Sequence, residues 1–338
     1  MVNIQYKLTE PKSIEEFYQN INYNGSGMIV RPTYLSICKA DLRYYFGERD
    51  VKILRQRLPM ALIHEACGIV LKDSKGKLRP GQSVIMLPNI SGRETLCEEN
   101  YRIDSLFCAS RVDGFMQEMV AMPEKQVMPY HGLPPEIAVL TEFISVGIHA
   151  IRTYRARLTR LPERLAVFGD GAMGYTVCAL LRKYFPEAGI TMIGKHRSKM
   201  ETFRFADERI AASELNLEAR FDGAFECVGR QASRIAIDQI IDVLVPEGTA
   251  VLMGVSEQPI PINTRMLLEK GLTLVGRSRS AREDFASAIS ILENDPVFRN
   301  RMQILISEVM EIQGIDDMHR AFNRAKEVDF KLIMNWNI

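Results

Sequence analysis

The sequence predicts an α/β protein of two domains, one β-rich and one built on a doubly wound parallel sheet. Three observations carry that expectation. The chain has 338 residues, 46% of them hydrophobic, which is too long for one ordinary core and apolar enough to fill two. Roughly its first 140 residues alternate short apolar runs with turn signals, the rhythm of β-structure. From about residue 142 the rhythm changes to apolar strand-like runs separated by helical stretches, as in a parallel sheet with helical crossovers.

In the first part, the strand candidates are Met28 to Arg31, Gly68 to Lys72, Ser83 to Leu87 and Gly114 to Ala121. In the second they are Leu165 to Phe168, Ile190 to Ile193, Gly223 to Phe225, Thr249 to Met253 and Leu272 to Val275. After Arg279 comes a mixed tail with helical segments around Asp284 to Leu292 and Asp316 to Lys326 and a short apolar run, Phe330 to Met334. The tail is expected to return to the first domain. No repeat, low-complexity linker or charge block separates the parts, so a cleft between packed domains is the expected site.

Lys plus Arg number 43 against 42 for Asp plus Glu. That balance gives no general attraction to nucleic acid or to an anionic membrane. The segment from Met1 to Phe17 lacks a cationic stretch followed by an apolar run, and nothing approaches the roughly 18 apolar residues of a membrane helix. A cytoplasmic protein is expected. The six cysteines are scattered without a Cys-x-x-Cys pair, so they read as reduced thiols, with Cys67, Cys178 and Cys227 as small buried hydrophobes.

The strongest motif runs Leu165-Ala-Val-Phe-Gly169-Asp-Gly171-Ala-Met173-Gly174 and continues into an apolar helical pattern. A strand leading through G-x-G-x-x-G into a helix is the signature of a Rossmann dinucleotide site. Gly169 permits the tight turn, Gly171 lets the backbone approach a pyrophosphate, and Gly174 allows close helix packing. The helix N-terminus offers its N–H groups to the anion. Where the next strand ends, an NAD site would place an acid against the ribose 2′-hydroxyl; this chain reads Gly194-Lys195-His196-Arg197. With no acid there to repel a 2′-phosphate and two cations to pair with it, NADPH is the expected cofactor.

Three fragments carry candidate metal ligands: Ile37-Cys38-Lys-Ala-Asp41, Ile63-His64-Glu65 and Thr141-Glu142. Thiolate, imidazole and carboxylate are the donors a catalytic zinc uses while keeping one position open. Taken singly, each has an ordinary reading: Cys38 in a core, His64 hydrogen-bonded inside, Glu142 at the start of a helix.

The order and spacing of these fragments, ahead of the nucleotide motif, resemble the zinc-containing medium-chain dehydrogenases, whose pieces read G-I-C-x-S-D, G-H-E and E-P-x-x-V. The resemblance spans essentially the whole chain. It implies a GroES-like catalytic domain at 1–141 and 280–338 and a Rossmann NADPH-binding domain at 142–279, with Met173, Cys227 and Val228 among the cofactor contacts. It also implies zinc on Cys38, His64 and Glu65, with Glu142 beside the metal, binding it directly or through water; which carboxylate binds at rest stays open. Two departures stand out. The stretch Pro88 to Asp113, where many members hold a structural zinc on four cysteines, has only Cys97 and Cys108, so no structural zinc is expected. Ala40 stands where the family usually has a Ser or Thr that relays a proton, so another route is expected, through metal-bound water and Glu142.

Candidates for binding a substrate anion are Arg43, followed by Tyr44, and Arg279, which matches an arginine at the substrate end of the cleft in polyol dehydrogenases. Guanidinium forks bind phosphate bidentately, so together they point to a phosphorylated substrate. A fuller pattern includes Val30-Arg-Pro, Arg43-Tyr44-Tyr45, Phe225-Glu-Cys-Val-Gly229, Gly254-Val-Ser256 and the stretch from Asn263 to Leu274. It resembles the ribulose-5-phosphate reductases of bacterial wall teichoic acid and capsule synthesis. That resemblance implies NADPH reduction of D-ribulose 5-phosphate to D-ribitol 5-phosphate, supplying a cytidylyltransferase that makes CDP-ribitol, and a homodimer. The competing readings are an NAD-linked polyol or sugar-phosphate dehydrogenase and a noncatalytic NADPH-binding protein.

Overall fold

A computed structural model describes residues 1–22 and 27–338. The chain divides into two compact units, Met1–Ser145 with Ser280–Ile338, and Val146–Arg279. The division falls inside the helix Thr141–Arg155, a few residues later than the sequence boundary, so Glu142 belongs to the first unit.

The first unit is built on a seven-stranded sheet. Its path runs Val127–Pro129, Ser83–Met86, Glu65–Asp73, Met28–Ser36, Lys331–Trp336 and Ile306–Ile312, with Val120–Met122 also pairing with Met28–Ser36. A smaller sheet joins Ser13–Asn20, Val2–Glu10 and Met60–Ala61. One core under these sheets gathers Leu8, Val30, Leu35, Leu62, Val84, Phe115, Phe322 and Leu332, all buried. The tail enters this unit by direct pairing: Lys331–Trp336 runs antiparallel to Met28–Ser36, with Ile333 opposite Ser36. Glu65 is opposite the same Ser36 from the other side. Directly opposed residues share a sheet face, as do residues two apart in a strand, so Glu65, Ser36 and Lys331 stand on one face.

Two sequence expectations change here. The run Gly114 to Ala121 is a regular strand only at Val120–Met122. Its beginning instead runs against the smaller sheet and the segment that follows it, with bonds from Gly114 N–H to the Ala61 carbonyl, Phe115 N–H to the Ile63 carbonyl and Tyr6 N–H to the Met116 carbonyl. The N-terminal hairpin of Val2–Glu10 and Ser13–Asn20 was not among the candidates, because its second strand is mostly solvated and carries little apolar signal.

The second unit is a six-stranded, all-parallel sheet in the order Glu208–Ala211, Gly189–Gly194, Arg164–Phe168, Phe221–Glu226, Leu244–Leu252, Thr273–Gly276. The order reverses about Arg164–Phe168, the strand that leads into the glycine turn, and ligands of such sheets bind at the carboxyl ends beside that reversal. Continuous burial of Leu165 to Phe168 and Ile190 to Ile193 matches strands covered on both faces. Among the described residues no helix is long and apolar enough to cross a membrane.

Candidate active site

Cys38 leaves the strand Met28–Ser36 and becomes the N-cap of the helix Lys39–Tyr45. Asp41, in the first turn of that helix and fully buried, accepts the Cys38 N–H at 2.9 Å through Oδ2 and the Ile63 N–H at 3.1 Å through Oδ1. The His64 Nδ1 lies 3.5 Å from the same Oδ1. A single carboxylate therefore joins the segments that deliver Cys38 and His64. Ile63 sits at φ 70°, a left-handed conformation that is costly for a β-branched residue and that this bond helps to hold.

Cys38, His64 and Glu65 each present one potential ligand atom, and these atoms lie within 4.8 Å of one another. Glu65 is fully buried; its Oε1 accepts from the Lys331 ammonium at 2.7 Å, while Oε2 has no hydrogen-bond partner. Leaving a buried carboxylate oxygen unpaired is expensive, and sulfur, nitrogen and oxygen donors gathered around it are the set zinc takes. The residues fit the metal.

Electrostatics of the group follow from its burial. Desolvation alone would lower the His64 pKa, but Asp41 and Cys38 outweigh it and hold the imidazole well above its ordinary value. Lys331 is likewise penalised by burial, yet Glu65, Cys38 and Glu142 hold its ammonium above the usual range. Its Nζ also lies 4.2 Å from the centre of the Phe143 ring. Glu142, 4% exposed, is beside the three-ligand group without joining it; burial and the neighbouring Glu65 and Asp41 push its carboxyl up to about 7, against the pull of His64 and Lys331.

In the second unit the glycine turn is tightly packed. Gly169 sits at φ 123°, and a Cβ there would meet the Cys227 carbonyl oxygen at 2.8 Å. A Cβ on Gly174 would lie 1.8 Å from the Gly169 oxygen, so the helix Ala172–Tyr184 can pack this closely only with glycine there. Gly171 is its N-cap and supplies no side-chain cap, and Met173 lies half-buried in the first turn. Lys195, His196 and Arg197 are exposed after the strand Gly189–Gly194, and Arg197 forms an ion pair with Glu214. Cys227 and Val228 follow the strand Phe221–Glu226; Cys227 is only half-buried, unlike the core cysteine expected of it, whereas Cys67 and Cys178 are fully buried.

Of the substrate candidates, Arg43 lies in the last turn of the helix that Cys38 caps, and Tyr44 is buried beneath the Arg49 guanidinium, 4.8 Å from its ring. Arg279 ends the second unit, in left-handed conformation at φ 59°. Ala40 occupies the first turn of the Cys38 helix, Cys97 is exposed and Cys108 is buried. Sequence reasoning missed Lys331 as part of the site. Its signal was present, a lone lysine opening the apolar run Lys331-Leu-Ile-Met334.

Residues 25–134 match the family model of the alcohol dehydrogenase GroES-like domain, and residues 186–294 that of the zinc-binding dehydrogenases. A ribulose-5-phosphate reductase of Streptococcus pneumoniae is 40% identical over 100% of this chain and 98% of its own length. Ribulose-5-phosphate reductase 2 of Staphylococcus aureus is 38% identical over 100% of both. The crystal structure of S. aureus TarJ in complex with NADPH superposes with a TM-score of 0.90 at 36% identity, covering 100% of both chains. By these matches the chain belongs to the zinc-binding dehydrogenases and, within them, to the ribulose-5-phosphate reductases.

Proposed function

We propose that this protein reduces D-ribulose 5-phosphate to D-ribitol 5-phosphate with NADPH. The observation that carries the proposal is the joining of half-buried Cys38 with buried His64 and Glu65 into one donor set, with Glu65 Oε2 unpartnered, in a chain alignable from end to end with ribulose-5-phosphate reductases. Cys38, His64 and Glu65 would hold zinc, which when bound supplies Lewis acidity for polarising a carbonyl oxygen.

The chain's own residues account for the rest of the chemistry. Asp41 orients the Cys38 and Ile63–His64 backbone, and Lys331 offsets negative charge that Cys38, Glu65 and Glu142 concentrate in a buried space. Glu142, buried beside the donor set, would be the carboxyl that passes a proton to the developing hydroxyl. Arg43 and Arg279 would bind the phosphate, a positioning role that fixes the carbonyl carbon for hydride transfer. Gly169 and Gly174 keep the turn and the helix tightly packed, so that the Gly171 backbone and the helix N-terminus would meet the pyrophosphate, and Lys195 and Arg197 would take the 2′-phosphate.

Further parts of the reading are a cytoplasmic enzyme, a homodimer paired through the edge strand Thr273–Gly276, and delivery of product to a ribitol-5-phosphate cytidylyltransferase. The decisive experiment is a nicotinamide-oxidation assay with ribulose 5-phosphate and either NADPH or NADH, with and without a zinc chelator. Turnover with NADPH that the chelator abolishes is expected. A preference for NADH would favour a polyol-type dehydrogenase, and no turnover with either would overturn the proposal.

A further inference from the structure

One carboxylate links the two loops that frame the adenosine end of the nucleotide site. Asp170 is the residue between the first two glycines of G-x-G-x-x-G. Its Oδ2 accepts the backbone N–H of Lys195 at 2.8 Å and of His196 at 2.6 Å, and the His196 ring Nδ1 lies 3.0 Å away. The Asp170 side chain is only 16% exposed, so these bonds are partly shielded from water. Burial would raise its pKa, but the two N–H groups and His196 more than reverse this and hold it below the usual range.

The same contact explains Gly194. A Cβ on that residue would come within 2.9 Å of the Asp170 Cβ and 2.6 Å of the Met192 Cε, so Asp170 takes up the space into which a side chain at 194 would project. In an NAD site the acid that grips the ribose 2′-hydroxyl follows this second strand. Here Gly194-Lys195-His196-Arg197 follows the strand, and the acid of the first turn, Asp170, accepts from donors of this second loop. Those donors belong to the residues that carry the cations: the Lys195 and His196 backbone is pinned, while their side chains and Arg197 remain at the surface.

We propose that Asp170 is a specificity-determining positioning residue: by fixing the Lys195 and His196 backbone it sets the Lys195–Arg197 cations to receive a 2′-phosphate. The inference rests on the NADPH reading above. Asp170 would bind no phosphate oxygen itself; its carboxylate stays ionised, and the two N–H groups and His196 partly offset the repulsion it would exert on a 2′-phosphate.

The test uses the whole protein and fragments of the cofactor, so it does not depend on turnover. Calorimetric titration of wild type, Asp170→Ala and Asp170→Asn with adenosine 2′,5′-bisphosphate and with 5′-AMP separates the 2′-phosphate from the rest. Asp170→Ala is expected to weaken the bisphosphate about tenfold, the scale of losing charge-assisted bonds that order a site, and to change 5′-AMP less than about twofold. Asp170→Asn, whose amide oxygen still accepts both N–H groups, should recover most of the loss. The KM for NADPH should rise with the bisphosphate dissociation constant while that for NADH stays near its wild-type value. Equal weakening of both fragments, or no change in Asp170→Ala, overturns the role of Asp170. A wild-type protein that binds the bisphosphate no better than 5′-AMP overturns instead the NADPH reading beneath it.

Discussion

Lys331 places its ammonium 2.7 Å from Glu65 Oε1, with the two side chains 4% and 0% exposed. They lie 266 positions apart and meet because their strands flank Met28–Ser36 on either side. In chelator-treated protein, Lys331→Met would strand a buried carboxylate without its counter-charge, so unfolding free energy should fall by about 3–5 kcal/mol. Denaturant titration measures this, and the double variant with Glu65→Gln should recover much of the loss. Strictly additive losses would mean that the two groups do not interact.

Metal content should follow the donor set. Cys38→Ser is expected to lose most bound zinc and, because Lewis-acid stabilisation is worth several kcal/mol, on the order of a hundredfold or more in kcat/KM. Asp41→Asn leaves every ligand in place but weakens the hold on Cys38 and His64, so zinc affinity should drop about 10- to 100-fold. Competition with a chromogenic chelator reads both. If Cys38→Ser keeps a full complement of zinc and full activity, the ligand assignment is wrong.

The nucleotide turn was the most legible part of the sequence because its strand, glycines and helix are adjacent; Gly174 is required by the Gly169 oxygen within the same turn, while the Cys227 contact that also requires Gly169 comes from a distant segment. The metal donors were legible as chemistry, while their convergence depends on sheet register that no local pattern states; Glu65 and Lys331 share Ser36 and Ile333 as register markers from opposite ends of the chain. Asp170 was passed over as a variable position inside a motif defined by its glycines. Its role comes from Lys195 and His196, one crossover later. The irregular path of Gly114 to Met116 was invisible for a related reason, since its bonds go to residues 61 to 63 rather than to a sequence neighbour.

Gly174 has no freedom to grow. A methyl group there would stand 1.8 Å from the Gly169 oxygen, so Gly174→Ala must push the helix Ala172–Tyr184 away from the turn. NADPH binding, followed by nicotinamide fluorescence, should weaken by at least about tenfold, because the helix N-terminus no longer meets the pyrophosphate. Far-ultraviolet circular dichroism should show the secondary structure retained. Wild-type NADPH affinity in this variant would contradict the assignment of the turn.

Acid should loosen the same unit in a defined direction. The Asp170 carboxyl titrates below its ordinary 3.8 in the folded chain, so the unfolded state binds its proton first as pH falls. The stability it contributes is therefore present above that ordinary value and is lost as pH drops through the lower folded one. The difference in unfolding free energy between wild type and Asp170→Ala should be flat from about pH 8 to pH 5 and shrink below about pH 4. A difference that grows on acidification would reverse the sign and exclude the bonds to Lys195 and His196 as its source.

Arg43 offers the sharpest separation of phosphate recognition from carbonyl chemistry. It lies in the last turn of the seven-residue helix whose N-cap is Cys38, which ties its position to the Cys38 backbone. A charge-assisted guanidinium–phosphate bond contributes about 1.5–3 kcal/mol, so Arg43→Met should raise KM for ribulose 5-phosphate about 10- to 100-fold. Unphosphorylated ribulose, a poor substrate for want of the anchor, should change less than about twofold, because it never made that bond. Zinc content should stay at the wild-type level, since no ligand has been touched. Equal losses on both sugars would instead place Arg43 in the support of the Cys38 helix and leave Arg279 as the remaining candidate for the phosphate.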